Sequence, residues 1–169
     1  MDKDLCLALY REAFPEPDEP FEEALFEKCF KYCYYIKEKG KVISMLFALP
    51  CEFETEKEKI ACFYIYAAAT LKEYRGLGYM ARLMEEVKND KEFLFLRPAE
   101  DNLIAFYKKI GFKTVDAKKI NQIPHITPKD DFLRLIEIFP EDANGEKYTA
   151  MYFSKTKNLL DINFIYTME

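Results

Sequence analysis

The sequence predicts an α/β protein in which helices cover a sheet. Three observations carry this. The middle of the chain reads strand, two-glycine turn, amphipathic helix, short apolar strand, amphipathic helix, strand. Hairpin signals lie on either side of that block. And 50% of the 169 residues are hydrophobic against 33% charged, enough to build a core within one domain spanning residues 1–169.

Asp4 to Ala13 reads as a first helix, with Leu5, Leu9 and Ala13 about a turn apart and Pro15 and Pro17 as stops. Glu19 to Phe30 reads as a second, carrying Phe21, Leu25, Phe26 and Cys29 on one face. Tyr32–Lys37 and Val42–Leu49 are β-rich runs joined across Glu38-Lys39-Gly40-Lys41, a hairpin signal. Glu52 to Lys59 alternates charges and reads as a solvated connection. Ile60 to Thr70 is a long strand. A helix from Tyr79 to Lys88 follows, its Met80, Leu83, Met84 and Val87 forming an apolar stripe. Phe93–Leu96 is a short buried strand. Asn102 to Ile110 is a helix with Leu103, Phe106, Tyr107 and Ile110 at the same spacing and Gly111 as its stop. Lys113–Ile123 reads as a strand and its exit, and Thr127-Pro128-Lys129-Asp130 has the grammar of a helix start. Asn144-Gly145 marks a turn, Tyr148–Phe153 a strand, and Leu160, Ile162, Phe164 and Tyr166 alternate as another.

The balance of the composition narrows the function. With a net charge of −5 the chain lacks the clustered cations a phosphate backbone demands, so no nucleic-acid partner is expected. The longest apolar stretch, Ile60 to Leu71, falls short of the roughly 20 residues that cross a bilayer, so no membrane partner is expected. Met1-Asp2-Lys3-Asp4 has no apolar signal core behind it, and the five cysteines show no disulfide-framework spacing. Both fit a cytoplasmic protein with reduced thiols. Cys29-x-x-x-Cys33 lacks the second pair or histidine that would complete four metal ligands, so no metal is expected. His125, the single histidine, lies in a turn between Pro124 and Ile126, which leaves no triad. Cys62 has no histidine to activate it and reads as a buried small side chain.

Chemistry concentrates between Ile65 and Met80. A strand feeds a short loop holding Gly76 and Gly78, and a helix begins where the loop ends. Free backbone N–H groups and the positive end of the helix dipole then converge, an arrangement suited to a pyrophosphate. The glycines let the backbone turn and approach an anion; Lys72 and Arg75 add positive charge at the rim. There is no third glycine for a dinucleotide fingerprint and no Gly-Lys-Ser/Thr for a P-loop.

The run Thr70…Glu73-Tyr74-Arg75-Gly76-Leu77-Gly78-Tyr79-Met80 resembles the coenzyme-A pyrophosphate loop of the GCN5-related N-acetyltransferases (GNAT family), Arg/Gln-x-x-Gly-x-Gly/Ala. Phe106-Tyr107-Lys108-Lys109-Ile110-Gly111-Phe112 is similar to that family's second signature, in the right order and separated from the first by one helix and one strand. The resemblance covers about Lys31 to Phe112. It implies a GNAT fold: a mixed, mostly antiparallel central sheet of about six to seven strands, splayed between the fourth and fifth, here Ile60–Thr70 and Phe93–Arg97. It implies an acyl-coenzyme-A-dependent N-acetyltransferase with acetyl-CoA as co-substrate and a small-molecule or peptide amine as acceptor, the amine attacking without an acyl-enzyme. Backbone at Ala68 and Thr70 pairs with the pantetheine arm in this scheme, and one N–H polarises the thioester carbonyl. Arg75, Gly76, Leu77, Gly78, Tyr79 and Met80 hold the phosphates. Tyr107 occupies the position of the tyrosine that protonates the departing thiolate.

Two departures stand out. Met80 replaces the last Gly/Ala of the loop signature, keeping its N–H. No carboxylate lies between Lys59 and Thr70, where many family members carry a general base. An amine with a pKa near 10 is only about 0.1% neutral at pH 7, so a proton acceptor is required. Tyr64 or Tyr66 through water, Glu100, Asp101 and the acidic amino-terminal helices are the candidates. Lys108 and Lys109 read as exposed helix residues, either of which could reach the adenosine 3′-phosphate. The rival reading is a non-catalytic member that binds coenzyme A or a protein partner. A homodimer through Leu160–Tyr166 is compatible with either.

Overall fold

A computed structural model describes residues 2–15, 18–54, 59–115, 125–128 and 150–156 of the chain. The helices are α1 (Asp2–Ala13), α2 (Glu19–Cys29), α3 (Tyr79–Asp90) and α4 (Leu103–Lys109). The strands are β1 (Cys33–Glu38), β2 (Lys41–Glu54), β3 (Lys59–Thr70), β4 (Phe93–Leu96), β5 (Lys113–Val115), β6 (His125–Pro128) and β7 (Ala150–Ser154). The hydrogen-bonded order is β1-β2-β3-β4-β7-β5, with β6 on β2. The β1–β2, β2–β6, β4–β7 and β5–β7 pairs are antiparallel, and β3–β4 is parallel. The fold is therefore a mixed, mostly antiparallel sheet flanked by helices.

The chain divides into two compact units, Met1–Leu49 with Ile65–Asp90, and Pro50–Tyr64 with Lys91–Glu169. In the first, Lys39 and Gly40 both take positive φ (48° and 82°), the two-residue turn that suits the twist of a hairpin, and it sets the register Glu38↔Lys41. Leu25, Phe26, Ile43, Met45, Leu46, Phe47, Leu83 and Met84 are fully buried there. Phe26 meets Tyr10 and Phe47 edge-on at 5.6 and 5.3 Å, so α1, α2 and β2 share one aromatic cluster. α2 starts where the Asp18 carboxylate accepts from the Phe21 N–H at 3.2 Å. α1 is clasped to β1 by Asp2, which accepts from Lys37 Nζ at 2.7 Å and Tyr35 Oη at 3.0 Å.

In the second unit β4 is buried along its whole length, as its unbroken Phe-Leu-Phe-Leu run requires of a central strand. It pairs with β3 through Phe63↔Leu94 and Tyr64↔Phe95 and with β7 from Phe93↔Ser154 to Leu96↔Met151.

Three sequence readings are corrected. Glu52–Glu54 is strand, not connector: β2 runs on to Glu54, where it pairs with β6 through Cys51↔Pro128 to Glu54↔His125. His125 accordingly stands on a strand rather than in a turn. Thr127 and Pro128 are strand residues, opposite Glu52 and Cys51, rather than the cap and first position of a helix. The strands expected at Ile60–Thr70 and Phe93–Arg97, fourth and fifth in the family's order, are β3 and β4 by position in this chain. The Asn144-Gly145 turn, the helix expected after Thr127 and the Leu160–Tyr166 segment lie outside the described residues.

Candidate active site

In the first unit the site begins at the end of β3. Ala67 has φ 51°, a left-handed conformation that costs a residue with a Cβ roughly 1–2 kcal/mol. Beyond it the Leu71 N–H donates to the Ile43 carbonyl at 2.9 Å. Alternation along the strand end then turns the N–H and C=O of Ala69 toward β2, and those of Ala68 and Thr70 away from it. The Thr70 carbonyl is taken by Arg75 Nε at 3.0 Å. Its hydroxyl lies 2.9 Å from Ser44 Oγ, which also donates to the Ala69 carbonyl at 3.3 Å.

The chain next makes a tight turn, with the Tyr74 N–H on the Leu71 carbonyl (2.9 Å) and the Arg75 N–H on the Lys72 carbonyl (3.3 Å). Gly76 and Gly78 follow at φ +77° and +85°. A Cβ at either would meet nothing within 4 Å, so backbone conformation rather than crowding calls for glycine. α3 opens when the Arg82 N–H reaches the Gly78 carbonyl at 3.0 Å. Helix geometry leaves the amides of Tyr79, Met80 and Ala81 without an intrahelical acceptor, and no acidic residue occupies the first turn to neutralise the dipole. The Tyr79 side chain is drawn to β1, donating to Glu38 Oε1 at 2.8 Å, a bond that raises its pKa. Leu77 stands 66% exposed at the apex, Met80 is half-buried, and Lys72 and Arg75 are exposed. These donors fit a diphosphate: main-chain N–H groups at a helix mouth, with a guanidinium whose Nε is committed and whose remaining N–H groups have no partner among the described residues.

In the second unit α4 follows a turn in which the Leu103 and Ile104 N–H groups donate to the Glu100 and Asp101 carbonyls (3.0 and 3.1 Å). Gly111, at φ +93°, ends the helix, and the Phe112 N–H returns to the Tyr107 carbonyl at 3.0 Å. That places Phe112 5.8 Å from the Tyr107 ring, with Phe106 5.1 Å away, both edge-on. Tyr107 is 7% exposed, and its hydroxyl has no hydrogen-bond partner among the described residues. Burial pushes its pKa up to about 12.

Over residues 1–115 the sequence matches the acetyltransferase (GNAT) domain family. The chain belongs to that family. No curated protein matches it. Among solved structures it is similar to a probable N-acyltransferase from Enterococcus faecalis V583 (21% identity, TM-score 0.57), covering 66% of this chain but 30% of that one. The GNAT chain here thus spans about a third or less of the length of such relatives. It is also similar to an aminoglycoside 6′-N-acetyltransferase solved with coenzyme A (13% identity, TM-score 0.58, 90% and 89% of the two chains). A third likeness is the ribosomal-protein-S18-alanine N-acetyltransferase of Escherichia coli (14% identity, TM-score 0.55, 93% and 90%). At these identities the likeness is one of fold.

The expected proton acceptors of this GNAT chain differ in their surroundings. Tyr66 is half-buried, its hydroxyl 3.4 Å from that of Tyr10 on α1; burial raises both pKa values, which opposes a phenolate base. Tyr64 is buried with its ring 6.2 Å from Phe95. Glu100 and Asp101 are exposed, and the Glu100 carboxylate accepts from Asn102 Nδ2 at 2.8 Å. On the amino-terminal helices Glu22, 2% exposed, is paired with Arg11 Nε at 2.7 Å. No disulfide joins the five cysteines among the described residues, and a hydrogen bond with Cys6, with burial second, raises the pKa of Cys33. No helix of the described residues is long and apolar enough to cross a membrane. Ser44 and the Arg75–Thr70 link escaped the sequence reading. Their signal, a lone serine in the apolar run Val42–Leu49, has meaning only once the strand opposite is known.

Proposed function

We propose that residues 1–169 form one acetyltransferase domain that moves an acetyl group from acetyl-CoA directly to a primary amine of a small molecule or peptide. The observation that carries this is the mouth of α3: two glycines at positive φ, a run of unspent amides, and Arg75 anchored by Nε to Thr70. Family membership and a relative solved with coenzyme A support it.

Acetyl-CoA supplies an activated acyl group when bound. Gly76 to Met80 offer main-chain N–H groups to its diphosphate, and Arg75 adds charge-assisted donors. Ala68 and Thr70 offer main-chain groups turned away from β2, of which the Thr70 N–H remains a donor while its carbonyl is occupied. Tyr107 is assigned the acid role. With a pKa of about 12 its phenol is protonated throughout the physiological range, so the donor form is always present. A thiol titrates near 8.5, by about 3.5 units the stronger acid. Tyr107 therefore acts chiefly as a hydrogen-bond donor whose contribution grows as negative charge builds on the leaving atom.

The absence of a carboxylate between Lys59 and Thr70 favours a second reading, a cytoplasmic coenzyme-A-binding or interaction module without transfer. Two measurements separate them. Acetyl-CoA at millimolar concentration should raise Tm if the loop binds, and no shift sinks the transferase and the coenzyme-A binder alike, leaving the interaction module. Thiol release across a panel of amines then identifies an enzyme; silence on every amine leaves the binder.

A further inference from the structure

Ser44 has no exposed surface and sits among Ile43, Met45, Leu46 and Phe47, all buried and apolar. A hydroxyl there carries a desolvation cost that alanine would avoid, so its partners matter. A serine has one proton to give. Spent on the Ala69 carbonyl at 3.3 Å, it leaves Ser44 Oγ to accept from Thr70 Oγ1 at 2.9 Å. Donation then runs from Thr70 to Ser44 to Ala69, closing a small ring across β2 and β3. The Thr70 carbonyl is held independently by Arg75 Nε. Thr70 is thus fastened by its side chain and by its carbonyl, which leaves its N–H as the polar group it can offer a ligand.

We infer that Ser44 is a positioning residue for the coenzyme arm: through Thr70 it fixes the end of β3 so that the Thr70 N–H stays aimed away from β2, at the pantetheine. This rests on the acetyl-CoA reading above. Ser44 touches no part of the ligand. Its effect is confined to the arm, because the diphosphate is gripped further along the chain, from Gly76 onward.

The test compares two probes in calorimetry: coenzyme A, which carries the arm, and ADP, which carries the diphosphate without it. Ser44→Ala should weaken coenzyme A about five- to tenfold, the worth of a single net hydrogen bond, and leave ADP unchanged. Thr70→Val should reproduce that loss and Thr70→Ser, which keeps the hydroxyl, should not. The double variant Ser44→Ala/Thr70→Val should be no weaker than either single variant, as expected of groups acting through one link. Equal weakening of both probes, an unchanged coenzyme A to ADP ratio, or additive losses would overturn the inference. Failure of the unaltered protein to bind either probe would instead overturn the acetyl-CoA reading on which it stands.

Discussion

At the mouth of α3, in the first unit, the polar groups are fastened in sequence: Leu71 to Ile43, Thr70 to Ser44 and Arg75, Tyr74 to Leu71, Tyr79 to Glu38. Around Tyr107, in the second unit, the environment is aromatic, and the single hydroxyl finds no partner among the described residues. Under the proposed reading, the contrast separates two kinds of function. A grip made of main-chain amides depends on φ values and anchors, and tolerates change in the side chains that happen to sit there. A single buried phenol depends on one oxygen, and its protonation state is set by the apolar wall around it.

The largest effect should come from that oxygen. Tyr107→Phe keeps the ring against Phe106 and Phe112, so the fold should hold, and removing an unpartnered buried hydroxyl can even be neutral to stability. Turnover measured by thiol release should fall about a hundredfold or more, the usual contribution of a positioned acid. Coenzyme-A affinity should stay the same. Unchanged turnover would remove Tyr107 from the chemistry and erase the division between the two regions.

A second consequence of the same burial is visible in base. The folded-state pKa of Tyr107, about 12, lies above the ordinary value of 10.0, so the folded protein holds this proton more tightly than the unfolded chain. The resulting stability is fully present below pH 10 and is lost as pH rises toward 12, on the order of 2–3 kcal/mol in all. The difference in unfolding free energy between the unaltered protein and Tyr107→Phe should therefore be flat to pH 10 and fall above it. Tyr10, Tyr34 and Tyr66, also raised by burial, remain in both proteins and cancel. A difference that stays flat through pH 12 would show that the phenol is hydrated.

Smaller again are the glycines of the grip. Gly76→Ala and Gly78→Ala place a Cβ at φ +77° and +85°, where the added atom meets nothing but the conformation itself is disfavoured, by about 1–2 kcal/mol. Coenzyme-A affinity should drop about tenfold as the amides turn away. Gly78→Asn should lose less, since asparagine tolerates this region. Equal losses for alanine and asparagine would point to crowding of the ligand instead.

The same contrast governs what could be read from the sequence. β4 was legible at Phe93–Leu96 because a short apolar run between polar residues has few other uses, and α4 because its stripe ends at Gly111. Glu52 to Glu54 was not: charged residues look like a connector until β6, some seventy residues later, supplies the pairing. Thr127-Pro128 misled for a related reason, since a Thr-Pro pair that opens a helix locally can equally lie in a strand. Within the site, glycines and Arg75 announce themselves, whereas the positive φ of Ala67 and the hydroxyl ring of Ser44 leave no local mark. They are set by long-range pairing of β2 with β3, which no periodicity within one strand encodes.

The smallest prediction tests the grip most directly. Leu77 stands between the two glycines with most of its side chain in water, and an exposed leucine there has two explanations. If main-chain N–H groups do the holding, the side chain is incidental: Leu77→Ala should shift stability by no more than about 0.5 kcal/mol and leave coenzyme-A affinity unchanged. If Leu77 instead covers part of the ligand, burial of its apolar surface is worth roughly 1.5–3 kcal/mol, and alanine would cost tenfold or more in affinity with stability untouched. Titration of the variant with coenzyme A separates the two, and the second outcome would move part of the grip from backbone conformation to a side chain.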